Sequence, residues 1–321
     1  MARRSREHDL DQDLGRIAYT VHRVRRHVQW ARDEGVARLM EEDSLNPFTS
    51  TSRALSKLHW RRREGVERGD ATAVFLVGVQ RSGTNMLVRG LEAAPEFEVH
   101  SENDRAAFHR FRLRPDPVIE AIINRSRHRF VLFKPLCDSH RTVDLLEGLR
   151  TRHRPKAIWA FRDVDGRVRS ALSKFGDANL RALRSIAAGT GDHLWQAQRL
   201  SEHSREVIGS VDWDRATPAT AAATFWYVRN RLYFEAGLDR RDDVAVLSYQ
   251  AVLADPTTSF AQLCDVLGTR SRPSLVAHID ARRPRTRDPL PIDPAIRGRC
   301  DELYARLSTA AARVPRAARR P

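Results

Sequence analysis

Lysine is scarce in this chain. Of 321 residues only Lys57, Lys134, Lys156 and Lys174 are lysines, although Lys and Arg together number 56 against 41 Asp and Glu. Arginine therefore carries nearly all of a formal net charge of +15. The guanidinium is a planar fork suited to phosphate and sulfate oxygens, so the balance points to an anionic ligand. Cysteine is scarcer still: Cys137, Cys264 and Cys300 lie far apart and form no Cys-x-x-Cys pair. That argues against a disulfide framework and against a zinc site, and no metal is expected. No apolar run approaches the ~20 residues of a transmembrane helix. The basic start, Met1 to Asp9, has no apolar stretch behind it of the kind a signal peptide carries. The expectation is a soluble, cytoplasmic protein with no transmembrane segment. Hydrophobic residues at 41% and charged residues at 30% allow a sizeable core, in one large α/β unit or about two domains.

Residues 1–70 read as an N-terminal helical extension. Leu10, Leu14, Ile17, Val21, Val24 and Val28 recur at helical spacing, Leu45-Asn-Pro-Phe-Thr-Ser-Thr-Ser reads as a break, and a basic helix is expected over Ala54–Glu67. From residue 71 short apolar runs alternate with helical ones. Strands are expected at Ala73–Val79, Phe97–His100, Phe130–Phe133, Ala157–Phe161 and Val244–Leu247. Helices are expected at Asn85–Ala94, Ala106–Arg125, Thr142–Thr151 and Val164–Lys174. This alternation is the pattern of a doubly wound, mainly parallel α/β fold over residues 71–305. Residues 175–242 form a helical block with no strand candidate, expected on the acceptor side of a site, and residues 306–321 read as a basic flexible tail.

The densest local signal is Gly78-Val-Gln80-Arg81-Ser82-Gly83-Thr84-Asn85. A buried strand enters a loop bounded by two glycines and leaves into a helix, so backbone N–H groups and a helix N-terminus can cradle an anion. A nucleoside triphosphatase would place Lys after the second glycine and Ser/Thr after that to hold Mg²⁺. Thr84 and Asn85 stand there instead, and the loop's one cation is Arg81.

This loop resembles the 5′-phosphosulfate loop of sulfotransferases that use 3′-phosphoadenosine 5′-phosphosulfate (PAPS). It looks most like the loop of the carbohydrate and protein-tyrosine branch, which reads near Gly-x-Pro-Arg-Ser-Gly-Thr-Thr; here Gln80 replaces Pro and Asn85 the second Thr. A second segment, Lys156 to Ser170, resembles that family's 3′-phosphate motif, with Arg162 at a strand end and Ser170 eight residues on. A third, Val246-Leu-Ser-Tyr249-Gln250 with Asp255-Pro256 and Gly268, resembles its strand–Tyr-Glu–Asp-Pro–Leu-Gly ending, Gln250 standing for Glu. The resemblance spans roughly residues 71–270. It implies a sulfotransferase-type α/β fold, with Gln80, Arg81, Ser82, Gly83, Thr84, Asn85, Arg162, Ser170 and Tyr249 holding PAPS as co-substrate, without a metal.

The same resemblance implies sulfuryl transfer to an acceptor hydroxyl, with a carbohydrate or glycoconjugate, such as a sugar or glycolipid, as partner. In that family the base is a Glu beyond the first helix or a His two residues past a strand-end Lys. Leu136 occupies the latter position, so Glu102 is the expected base, with His100 and Asp104 behind it. Arg81 and Lys134 are the expected cations of the reaction. His109 and His140 read as surface or capping residues. Two other classes stay open. One is a P-loop kinase or NTPase, for which the loop lacks lysine and Mg²⁺ ligand. The other is a non-catalytic nucleic-acid or polyanion binder using His22–His27, Arg61–Arg63 and Arg282–Arg287, although no nucleic-acid module accompanies those clusters.

Overall fold

The computed structural model describes residues 47–281 and 288–313. The expected helix at residues 10–28, the basic runs at 22–27 and 282–287, and the end of the tail lie outside the described residues. The first described element is helix α1 (Pro47–Arg63). It begins at the proline that reads as a break in sequence. Proline suits the first helical position because its fixed φ is already helical and its missing N–H has no partner to lose. Trp60 of this helix stacks on His128 at 6.1 Å between ring centroids.

Five strands, β1 (Thr72–Gly78), β2 (Phe97–His100), β5 (Phe130–Phe133), β6 (Lys156–Phe161) and β7 (Val244–Ser248), form one sheet in the order β2-β5-β1-β6-β7. Every pairing in it is parallel. Their near-continuous Val, Leu, Ile, Phe and Ala runs are those of strands covered on both faces. Residues alternate accordingly. Phe75, Val77, Phe133, Trp159 and Phe161 face one core, closed by α4 (Thr142–His153), α5 (Val164–Phe175), α8 (Pro218–Glu235) and α11 (Pro294–Ala312). Val74, Leu76, Leu132, Ile158 and Leu247 face the other, closed by α2 (Thr84–Ala93) and α10 (Pro256–Leu267). Cys300 lies in the first core and Cys264 in the second, while Cys137 is buried in the 3₁₀ turn after β5. The fold is thus the doubly wound parallel α/β arrangement that the strand–helix alternation implies.

The single helix expected over Ala106–Arg125 is not formed. A small antiparallel hairpin, β3 (Phe108–His109) and β4 (Arg112–Leu113), precedes a shorter α3 (Asp116–Arg125). Pro115 and Pro117 force the chain to restart there. The Leu113 N–H and the Arg112 guanidinium are committed to the buried Asp138 carboxylate at 2.8 Å each. The hairpin tip holds Arg110 and Phe111 at φ 47° and 67°, left-handed values that non-glycine residues adopt at a cost. At the other end, α11 runs past residue 305, where a flexible tail is expected, because Leu303 and Leu307 are buried in the core. Within residues 175–242 lie α6 (Ala178–Ala187), α7 (Glu202–Gly209) and α8. Trp226 and Tyr233 of α8 are core residues, and the Trp226 indole donates to the Arg162 carbonyl at 2.9 Å.

Candidate functional site

In a parallel sheet the C-terminal strand ends gather the loops, and a crevice opens where the strand order reverses. The chain moves from β1 to β2 and β5 on one side, then to β6 and β7 on the other, so the reversal falls at β1. Its loop is Gly78–Gly83. Glu102 follows β2, Lys134 follows β5, Arg162 follows β6 and Tyr249 follows β7. The sequence candidates therefore share one edge.

The loop is held by β6, by the turn after β5 and by Tyr249. Gly78 has φ 124°, and a Cβ there would lie 2.2 Å from the Ala160 carbonyl oxygen on β6, so only glycine lets the two strands stay in register. Its N–H donates to the Ser139 hydroxyl at 3.0 Å. Gly83 has φ 83°, and a Cβ there would lie 2.3 Å from Cδ2 of the Tyr249 ring. Tyr249 thus packs directly on the loop, and the Arg162 guanidinium sits 4.4 Å over the other part of that contact, the Tyr249 ring centroid. Gly83 caps α2 without a side-chain acceptor. Among the described residues the backbone N–H groups of Ser82, Gly83, Thr84 and Asn85 donate to no backbone carbonyl in the turns and caps. The Ser82 hydroxyl, on a residue 2% exposed, is buried without a hydrogen-bond partner. A buried hydroxyl without a partner beside free-standing N–H groups at a helix start fits an anion seated in the loop.

Arg81 takes the left-handed φ of 71° at the loop's crest. Its Nε donates to the Ser170 hydroxyl on α5 at 2.9 Å. The structure therefore joins Ser170 to Arg81, while Arg162 turns to Tyr249. Gln250, which stands where the resemblance expects Glu, has a physical reason: its side chain accepts from the Asp163 N–H at 3.2 Å and donates to the Asp163 carboxylate. A Glu there would set two carboxylates against each other.

Glu102 and Lys134 meet across the sheet edge, Lys134 Nζ lying 3.7 Å from Glu102 Oε2 and donating to Asn85 Oδ1 at 2.7 Å. Asn85 is thereby a partner of Lys134 as well as the second residue of α2. Burial pushes the Glu102 carboxyl up to about 7 despite the Lys134 charge, and the nearby Asp138 carboxylate adds to the rise. A carboxyl poised there can take a proton near neutral pH. His100 is a structural neighbour. It lies between Glu98 at 3.1 Å and Asp104 at 2.5 Å and stacks on Phe133. Burial works against its charge, but the two carboxylates outweigh it and raise its pKa. His100 and Asp104 are therefore bound to each other rather than turned to the site.

Several residues around this centre escape sequence reading. Asp138 anchors Arg112 and the hairpin, and Arg112 Nη2 reaches Gln198 Oε1 at 2.7 Å, tying the helical block to the sheet edge. The Arg229 guanidinium lies 3.4 Å from Nδ1 of His140 and over the Trp195 ring. His140 is buried rather than at the surface; burial first, then Arg229 and three further arginines, pulls its pKa down to about 3, so it is neutral. Arg167 is buried beneath the loop. Only Arg167 had a sequence signal, since it stands three residues before Ser170 and so on the same helix face. Among the described residues no group of His, Cys, Asp and Glu is placed to hold a metal ion, and no helix is long and apolar enough to cross a membrane.

No protein-family model matches the chain, and no curated protein matches it. Solved structures similar to it include a sulfotransferase from Alicyclobacillus acidocaldarius, at 14% identity and a TM-score of 0.39 over 75% of this chain and 94% of that one. A sulfotransferase domain from the curacin biosynthetic pathway gives 13% identity and a TM-score of 0.42 over 74% and 98%. The sulfotransferase domain of the Synechococcus PCC 7002 olefin synthase gives 17% and 0.39 over 75% and 94%. At these values the reading of the site rests on its own residues.

Proposed function

We propose that this chain is a sulfotransferase that moves a sulfuryl group from PAPS to an acceptor hydroxyl, with a carbohydrate or glycoconjugate as acceptor. The observation that carries the reading is the meeting, at one sheet edge, of an anion loop crested by Arg81 with the Lys134–Glu102 pair 3.7 Å apart. The donor supplies an activated S–O bond that breaks to leave 3′,5′-ADP as the acceptor oxygen binds sulfur. The chain's own part is positioning and charge. Ser82, Gly83, Thr84 and the start of α2 hold the 5′-phosphate with Gln80 and Arg81. Arg162, Ser170 and Tyr249 flank the 3′-phosphate side. Arg81 and Lys134 meet the negative charge that builds on the transferring group. Glu102 takes the acceptor proton, a role worth typically ~10²–10⁴ in rate. The acceptor class follows from the branch whose loop this one resembles. Thr84 stands where a kinase loop has its lysine, and Asn85, which accepts from Lys134, stands where it has its Mg²⁺-ligating hydroxyl, which speaks against a kinase.

The test is thermal unfolding with 3′,5′-ADP, with 5′-ADP, and with ATP and Mg²⁺. A ligand at 100 times its Kd adds about 2.7 kcal/mol, enough to move the midpoint by several degrees. Protection by 3′,5′-ADP well beyond 5′-ADP, without metal, is expected. Protection by ATP and Mg²⁺ alone would return the loop to the kinases. A steep salt-dependent shift with DNA or RNA in place of either would favour the polyanion binder.

A further inference from the structure

Arg167 lies on α5, between Arg162 and Ser170, and is 1% exposed. A buried guanidinium ordinarily has a carboxylate beside it, because an unpaired charge inside a fold is strongly unfavourable. Arg167 has none among the described residues. Its Nε donates to the Gln80 carbonyl at 3.3 Å, its Nη1 to the Ala222 carbonyl at 2.8 Å and towards Asn179 Oδ1 at 3.4 Å, and it lies 5.0 Å over the Phe225 ring. The Arg81 charge, of the same sign, works against it as well. A methionine would fill this space without that penalty, so packing alone does not account for the residue.

The Gln80 carbonyl belongs to the peptide whose N–H is that of Arg81. All the described peptide bonds are trans, and a trans peptide points its carbonyl and its N–H in opposite directions. Drawing the carbonyl towards α5 therefore turns the Arg81 N–H away from α5. The same peptide leads into the left-handed φ of Arg81, a conformation that persists in a non-glycine residue only where the surroundings hold it. Arg167 is the side chain that holds this carbonyl.

We infer that Arg167 is a positioning residue of the anion loop: it fixes the Gln80–Arg81 peptide so that the amide faces the 5′-phosphate end of the ligand, whose negative charge is the counter-ion that the buried guanidinium lacks. This rests on the donor reading above. It adds to that reading a residue outside the loop and outside the Arg162–Ser170 pair, and it assigns the residue to one end of the nucleotide only.

The experiment compares two probes, 3′,5′-ADP and adenosine 3′-monophosphate, by titration calorimetry on the full chain and on Arg167→Met and Arg167→Lys. The wild-type chain is expected to bind 3′,5′-ADP more tightly than the 3′-monophosphate. Arg167→Met is expected to lose about tenfold in 3′,5′-ADP affinity while the 3′-monophosphate stays within about twofold. Arg167→Lys, which keeps the charge but not the two-carbonyl fork, is expected to fall between. An equal loss for both probes would make Arg167 a merely structural residue, and no loss for either would remove it from the loop; both overturn the inference. Wild-type protein that binds neither nucleotide would overturn the donor reading itself, a result distinct from either. If Arg167→Met does not fold, Arg167→Lys decides by the same comparison: a loss confined to 3′,5′-ADP supports the inference, and equal behaviour of the two probes refutes it.

Discussion

Glu102→Gln should make the protein more stable and less active at once. The Glu102 side chain is 16% exposed, and its titration is moved from the ordinary 4.5 to about 7 by burial. Once ionised it is therefore about 3 kcal/mol worse off in the fold than in the unfolded chain. The sign follows from proton counting. Between about pH 4.5 and 7 the folded chain holds this proton and the unfolded chain does not, so wild-type stability falls as pH rises through that window and levels off above it. A glutamine keeps the shape and stays neutral, and its carbonyl can still accept from the Leu136 N–H that now serves the carboxylate. Above pH 7 the variant should gain up to about 3 kcal/mol, some 6 °C in Tm at roughly 2 °C per kcal/mol. Below pH 4.5 it should gain nothing. Calorimetric scans of both proteins at pH 4.5 and pH 8, beside a sulfuryl-transfer assay, check both halves. Turnover should drop by ~10²–10⁴ with 3′,5′-ADP binding retained. A fall in Tm at pH 8 would refute the reasoning, since it would mean that the carboxylate is stabilised where it sits.

Three other outcomes follow from the same geometry. Removing the cation that favours the Glu102 carboxylate, as in Lys134→Met, should move the acid limb of the pH–rate profile above its wild-type position near pH 7, and a limb that moves down would contradict the ion pair. Gly83→Ala forces a side chain into a left-handed backbone and into the Tyr249 ring; the backbone part alone costs about 1–2 kcal/mol. Tyr249→Ala in the same chain should relieve only the ring clash, read as urea midpoints. Ser170→Ala leaves the Arg81 charge but removes the hydroxyl that orients it, so 3′,5′-ADP affinity should fall about fivefold for one hydrogen bond. Arg81→Ala should weaken binding further and abolish transfer, and equal losses in the two variants would show that the hydroxyl, not the charge, governs the loop.

The strands were readable because a parallel strand buried on both faces is a short run of Val, Leu, Ile, Phe and Ala, and β2 and β5 fall at the expected residues. The loop was readable because a conformation that only glycine tolerates leaves its mark at Gly78 and Gly83. The Ala106–Arg125 stretch misled because Phe108 and Leu113 have apolar side chains that suit a helix as well as a hairpin. What decides for the hairpin is Asp138, twenty-five residues downstream of Leu113 in the sequence. The start of the basic helix misled differently: it begins at Pro47 rather than Ala54, since a proline that cannot continue a helix suits its first position. The burial of Arg167 and Arg229 was invisible for a simpler reason. Among so many arginines, burial is a property of the folded chain, and no pattern in the sequence separates those inside from those in water.

The three cysteines give the molecule a set of built-in clocks. Each thiol is buried, and burial raises the pKa of each, that of Cys264 to about 11, so a native chain presents almost no thiolate to an alkylating reagent. Labelling then measures opening. Cys264 reports the face of the sheet covered by α10, Cys300 the face covered by α11, and Cys137 the turn beneath Gln80, whose amide it contacts at 3.4 Å. Three peptides in one mass spectrum would thus time how the two layers and the floor of the site come apart, separately and without an added probe.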